Sequence, residues 1–397
     1  MYAIPYSCQN ITDDDIAAVT TVLRSDALTQ GPAVPAFESE FARRHQVTNA
    51  IAVSNATAGL HLTCLAMGVG PGSQVWTSPN SFLASANCAL YCGATVDFVD
   101  IDPITRNMSI AALRRKLASV GDAVPHVLIP VHFSGLPCDL REMRALADQY
   151  GFRILEDASH ATGASYQGAP VGSTYADASV FSFHAVKIVT TAEGGIVTTH
   201  DGKLARRVRL LRSHGMTRDE SEMEHLPEGP WYYEQQSLGY NYRMTDLQAA
   251  LGISQLARLE QMHARRSELA DRYDGLLAAL PVILPPRQAD RVSAWHLYAV
   301  ELDESRTQAT RASVFGLMRQ AGIGVNVHYI PIHTQPYYAR LGFRRGDFPA
   351  AEHYYSRAIS LPLFPAMTEK QQDIVFRTLR AALSGMPAKA GNTRSGT

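Results

Sequence analysis

The chain has 397 residues, 46% of them hydrophobic and 18% charged, with a formal net charge of −1. That length accommodates two or three domains with substantial cores, and the near-zero charge argues against a nucleic-acid partner, which leaves a basic footprint. The five cysteines are scattered and lack CxxC pairs, which argues against a disulfide framework and a structural zinc site; no metal is expected. The start, MYAIPYSCQNITDDD, has no signal-peptide pattern, and no apolar run approaches membrane-spanning length, so a cytoplasmic protein is the expectation.

In chain order, TDDDIAAVTTVLRS predicts a first helix. Thr12 and Asp15 fit a capping box, and Ile16, Val19, Val22 and Leu23 form one apolar stripe. From about residue 50 to 200, apolar strands alternate with helices. NAIAVS, QVWTSP, ATVDFVDID, HVLIPVHF, FRILED, SVFSFH and GGIVTTH read as strands, with AGLHLTCLAMG and CDLREMRALADQYG as helices among them. This alternation predicts a largely parallel sheet covered on both faces, with ligands at the carboxyl ends of its strands. GVGPG, from Gly68 to Gly72, lacks GxGxxG spacing and sits between a helix and a strand, so it reads as a plain turn. A long helix is expected from the Thr245–Gln248 capping box, through Leu247, Leu251, Leu256, Leu259 and Met262, to Pro281. AWHLYAVEL, ASVFGLMRQ and EKQQDIVFRTLRAAL then predict a smaller α+β unit. The polar tail, residues 385–397, is expected to be disordered.

Three features carry chemistry. Asp157 stands where the strand FRILED runs out, which aims its carboxylate into the ligand crevice. SNATAGLHLTCL places Ser54, Asn55, Thr57 and Gly59 at the start of an apolar helix, where free N–H groups and the helix dipole suit a phosphate. DASVFSFHAVKIVTTAEGGIVTTHD sets Lys187 in a small-residue loop between two apolar strands. A lysine desolvated there has a lowered pKa and suits Schiff-base chemistry. Phosphate cradle, carboxylate and lysine together are what pyridoxal 5'-phosphate (PLP) requires.

EDASHATGASYQGAPVGS, FSFHAVKIVTTAEGGIVTT, RLLRSHG and GYNYRMTDLQAALGISQL resemble the DegT/StrS-type nucleotide-sugar aminotransferases, over residues 4–384. The resemblance implies a fold-type I PLP-dependent transferase: an α/β protein with a mostly parallel central sheet sandwiched by helices. It implies a large PLP-binding domain over residues 1–250, with an N-terminal arm over 1–25, and a smaller C-terminal α+β domain over 251–384. LTQGPAVPAFE, ANCALYCGATVDFVDID, GIGVNVHYIPIHTQPYYARLGF and AISLPLFP look most like the UDP-4-amino-4,6-dideoxy-N-acetyl-β-L-altrosamine transaminases of pseudaminic acid synthesis. The lysine loop is also close to the UDP-4-amino-4-deoxy-L-arabinose transaminases.

By motif, the resemblance makes Lys187 the residue that forms the imine and moves the proton, and Asp157 the partner of the pyridinium nitrogen. It assigns Ala56, Thr57 and Ser182 to the phosphate, His160 to the ring hydroxyl, and Phe82 to the ring face. Asn241 would reach the phosphate of the neighbouring subunit, which implies a homodimer with shared active sites. Thr29, Gln30, His328, His333 and Tyr337 are the candidate sugar contacts. The chain departs from the pattern at Ile188, where relatives often carry Asn. The implied reaction moves an amino group from L-glutamate to C4 of a UDP-linked 4-keto-6-deoxy sugar. Two other classes stay open at this point: a PLP-binding regulator without turnover, and a doubly wound nicotinamide enzyme.

Overall fold

The computed structural model describes residues 2–385, so the expected disorder of the tail falls, apart from Gly385, outside the described residues. Two helices, α1 (Asp13–Leu23) and α2 (Ala33–His45), lead into the sheet region. Its strands are β1 (Asn49–Val53), β2 (Gln74–Thr77), β3 (Thr95–Phe98), β4 (Val127–Ile129), β5 (Arg153–Asp157), β6 (Ala178–Ser182) and β7 (Gly195–Thr199). Between or after them come α3 (Ala56–Ala66), α4 (Ala84–Tyr91), α5 (Ile110–Ser119), α6 (Leu140–Tyr150) and α7 (Gly202–Arg212).

The seven strands form one sheet in the order β1-β7-β6-β5-β4-β2-β3. Pairing is parallel from β6 through β5, β4 and β2 to β3, and β7 runs antiparallel to both β1 and β6. Every residue of β6 and β7 is buried. A strand with helices on both faces cannot alternate polar and apolar residues, and these two do not. Helix α3 lies directly on them: nine of its eleven residues are buried, and a Cβ on Gly59 would come within 2.9 Å of Val180 Cγ1. The turn from Gly68 to Gly72 joins α3 to β2, with both glycines at positive φ.

After α8 (Asp246–Ala257) and α9 (Leu259–Leu277), β8 (Val282–Ile283), β9 (Tyr298–Leu302) and β10 (Ala358–Leu361) form a second, antiparallel sheet in that order. Helices α10 (Arg311–Gln320), α11 (Pro336–Arg340), α12 (Pro349–Arg357) and α13 (Glu369–Leu383) complete the α+β unit. Its core gathers Leu269, Tyr273, Val300, Val314, Ile359 and Val375. The chain's start belongs to the same core: Ile4 is buried, and Gly324 N–H donates to the Ile4 carbonyl at 2.7 Å.

Two helices depart from the sequence-based expectation. The single helix expected from Thr245 is two, broken at Arg258 (φ −109°, ψ 11°). The Thr245–Gln248 capping box is present as expected. Arg258 is occupied by a tertiary bond instead: its guanidinium donates to Asp15 Oδ2 at 2.5 Å. That carboxylate is the only buried side chain of α1 and also accepts from Ser254 and Gln255. Helix α1 therefore packs on α8 through a polar residue. Of its expected apolar stripe, Val19 and Val22 are half-buried, while Ile16 and Leu23 are each 57% exposed.

Candidate active site

The carboxyl ends of β1, β5 and β6 and the start of β7 meet at one edge of the sheet. A cleft of about 810 Å³ opens there, lined by Ala56, Thr57, Phe82, Asp157, Ser182 and Lys187 among others. At its base, α3 begins with Asn55, whose side chain accepts from Ala58 N–H at 2.8 Å. The first-turn N–H groups of a helix have no intrahelical acceptor, so those of Ala56 and Thr57 remain for an anion. Gly195 keeps this end open, since a Cβ there would lie 2.6 Å from the Ala56 nitrogen. Ser182 ends β6 beside it.

Asp157 ends β5 and is buried, and its two oxygens are held apart by different donors. Ser85 Oγ donates to Oδ2 at 2.6 Å and Ser159 N–H to Oδ1 at 3.1 Å. Ser85 belongs to α4 and is itself bonded to Ser81 at 2.7 Å. The carboxylate is thus held in place before any ligand arrives.

Lys187 sits in the loop between β6 and β7, closed by Phe183 N–H on the Gly194 carbonyl and Thr191 N–H on the Phe183 carbonyl, both 2.9 Å. Ile188 and Val189 explain the departure noted in this loop. Both are buried in the core with Phe37, Phe183, Ile196 and Met244. Ile188 therefore anchors the loop, a contribution of about 1.5–3 kcal/mol for a fully buried aliphatic side chain. The anchor leaves the neighbouring Lys187 half-buried at the cleft. Burial pushes its amine down to about 8 from 10.5, and the Asp157 carboxylate only partly opposes that shift. Covalent capture of PLP by the cofactor-free protein, trapped by borohydride, should therefore rise with pH through an inflection near 8. An inflection near 10.5 would mean that the labelled amine is an ordinary solvated lysine.

His160 lines the cleft and is buried. Desolvation, with smaller contributions from Lys187, His328 and His132, holds its imidazole well below 6.5, so it is neutral. Phe82 is not core packing: it is 60% exposed with its ring at the cleft. An apolar face left open inside a polar cleft is suited to covering a flat ring. His328 also lines the cleft, with Nδ1 2.7 Å from Ser360 Oγ.

The other candidates lie elsewhere. His333 is a correction: it is fully buried, with Nε2 2.9 Å from Glu352 Oε1 and its ring against Phe348, so it packs the core instead of reaching the cleft. The turn over Ile332–Thr334 directs it inward. Tyr337 is on the exposed side of α11, and Thr29, Gln30 and Asn241 are exposed; none of the four lines this chain's cleft. Sequence reading also missed Tyr6, Ser85, His296 and Tyr329, all brought to the site by tertiary folding. Ser85 and His296 carry no motif of their own in the sequence, and Tyr329 gave no signal beyond its place in GIGVNVHYIPIH.

These residues fit PLP: an open helix end for phosphate, a fixed carboxylate for the ring nitrogen, an exposed aromatic for the ring face and a desolvated lysine. Fold and site define a fold-type I PLP-dependent transferase. The chain belongs to the DegT/DnrJ/EryC1/StrS aminotransferase family, which matches residues 9–380. It is 40% identical to the spore coat polysaccharide biosynthesis protein SpsC of Bacillus subtilis, over 96% of this chain and 97% of SpsC. Its structure is similar to that of Helicobacter pylori PseC, an aminotransferase involved in pseudaminic acid biosynthesis. The TM-score is 0.88 at 30% identity, over 96% of this chain and 100% of PseC. Spr1654 of Streptococcus pneumoniae, solved in its PLP form, gives a TM-score of 0.87 at 29% identity, covering 97% and 99% of the two chains. The protein is a sugar aminotransferase, which sets aside the nicotinamide reading. Among the described residues, no helix is long and apolar enough to cross a membrane.

Proposed function

We propose that the enzyme transfers the amino group of L-glutamate to C4 of a UDP-linked 4-keto-6-deoxy sugar, UDP-2-acetamido-2,6-dideoxy-hexos-4-ulose, in a pseudaminic-acid-type pathway of cell-surface polysaccharide synthesis. The observation that carries the reading is Lys187, an amine depressed to about 8 at the mouth of the cleft that Asp157 lines. The likenesses to PseC and SpsC support the sugar and the polysaccharide setting.

Bound PLP supplies an aldehyde for the amines and a protonated ring that accepts electrons when a C–H bond breaks. The chain's residues do the rest. Ala56 and Thr57 N–H and Ser182 would hold the phosphate; Asp157, oriented by Ser85 and Ser159, would keep the ring nitrogen protonated; His160 would meet the ring oxygen; and Phe82 would cover the ring face. Lys187 Nζ, neutral over an accessible pH range, would accept the proton from the donor's Cα and hold it for return in the same half-reaction. The second half-reaction runs the same proton movement backwards with the keto sugar. His328 faces the space left for substrate. Asn241, Thr29 and Gln30 are read as serving a second subunit, in a homodimer with shared sites. All three are exposed outside their own cleft, and Thr29 bridges to Thr245 close to Asn241 in the chain.

Incubation with PLP, L-glutamate and a panel of UDP-4-keto sugars tests the reading. The expected result is 2-oxoglutarate together with a 4-amino sugar nucleotide, preferentially from the 2-acetamido-6-deoxy substrate. A preference for the UDP-4-keto-pentose would move the enzyme to 4-amino-4-deoxy-L-arabinose chemistry. Formation of no 2-oxoglutarate with any sugar would overturn the proposed donor and substrates.

A further inference from the structure

The cleft contains a contact that the family motifs do not assign. Tyr329, on the segment between α10 and α11, places its hydroxyl 3.1 Å from His160 Nε2, with the two rings stacked at 19°. Its backbone N–H is pinned to Asn80 Oδ1 at 3.2 Å, and Asn80 Nδ2 is in turn bonded to the Arg106 carbonyl at 3.3 Å. His160 Nδ1 is buried and has no partner among the described residues.

A neutral imidazole carries one N–H and one lone pair, and the partner of one nitrogen decides the role of the other. If Tyr329 accepted from Nε2–H, its own hydroxyl hydrogen and the Nδ1 lone pair would both lack a partner. If Tyr329 donates to Nε2, only Nδ1–H is unpaired, and an unpaired buried donor is what an arriving anionic oxygen satisfies. Burial also keeps the Tyr329 phenol protonated, so it retains the hydrogen to give. Lys187, His328 and His132 all bear on the His160 ring in the same direction, towards neutrality.

We propose that Tyr329 is a positioning residue: by donating to His160 Nε2 it puts the imidazole's single proton on Nδ1, making that N–H the donor for the ring oxygen of PLP. The identity of the acceptor rests on the cofactor reading above. The tautomer itself is readable without cofactor, so the two can fail separately.

The first test is ¹⁵N NMR of histidine-labelled, cofactor-free protein, with the His160 signals assigned by their loss in His160→Gln. Nδ1 is expected to be protonated and Nε2 bare, and Tyr329→Phe should shift His160 towards the Nε2–H form or a mixture. A wild-type Nε2–H form, or no change in Tyr329→Phe, overturns the proposal. The second test is the pH midpoint of the visible band of the PLP-loaded enzyme. Loss of a donor to a charged oxygen should move it upward by about one unit in Tyr329→Phe. A glutamine has no tautomer to set, so in a His160→Gln background the same change should move the midpoint by less than about 0.2 unit. Equal shifts in the two backgrounds would show that Tyr329 acts by packing alone and would overturn the assignment.

Discussion

Lys187→Ala is expected to abolish transamination, with a fall of at least about 10⁴ in turnover. General base catalysis by a positioned side chain contributes roughly 10²–10⁴, and the covalent role of the same amine adds to it. The substitution should leave the fold intact, because Ile188 and Val189, not the lysine, seat the loop in the core. Stability offers an independent check on the environment of the amine. A lysine whose pKa is lowered to about 8 in the folded protein binds its proton more weakly there than in the unfolded chain. The resulting penalty is fully present below pH 8 and is relieved as pH rises from 8 to 10.5. Wild-type stability relative to Lys187→Ala should therefore increase across that window in cofactor-free protein. Turnover is followed as 2-oxoglutarate release, and the site of attachment by borohydride trapping and peptide mapping. Near wild-type turnover, or trapping on another residue, would remove Lys187 from the mechanism.

Asp157→Asn is expected to lower kcat by about 10²–10³ at saturating PLP, with little change in melting temperature. The asparagine can keep the local geometry: its carbonyl accepts from Ser159 N–H, and its amide donates to Ser85 Oγ, whose hydroxyl can turn to accept. What disappears is the negative charge opposite the ring nitrogen. Removing one preorganised electrostatic partner from a water-poor site costs roughly 10²–10³ in kcat. Steady-state kinetics with cofactor titrated to saturation separates this loss from weaker PLP binding. A variant that keeps more than about a tenth of wild-type kcat would show that Asp157 is only structural.

That Asp157 and Lys187 would share one cleft was legible because each stands out locally in the chain. Asp157 closes an apolar strand, and Lys187 interrupts an apolar strand-loop-strand segment, so each stands out against its neighbours. The helix start at the base of the cleft was legible for the same reason, as small and capping residues before a largely apolar helix. The orientation of α1 was not. The face it buries is set by the pairing of Asp15 with Arg258, 243 positions apart in the chain, which leaves Ile16 and Leu23 exposed. Periodicity finds an apolar face, but it does not say whether that face meets the core or solvent. His333 was misjudged for a related reason. A histidine in a motif-rich segment looks like a ligand, whereas its partner Glu352 lies 19 positions away and faces it only once α12 has packed.

The sequence by itself determined the layered architecture, the helix caps at Thr12 and Thr245, and the strand-end and loop positions that bring Asp157 and Lys187 to the cleft. Each of these depends on neighbours within a few positions, where spacing translates directly into geometry. Tertiary structure alone decided which histidines enter the cleft, that Ser85 holds the Asp157 oxygen, and that Tyr329 meets His160 across 169 positions of chain. Those contacts join segments that the sheet order brings together at one edge, and no local period records which strands will be neighbours there.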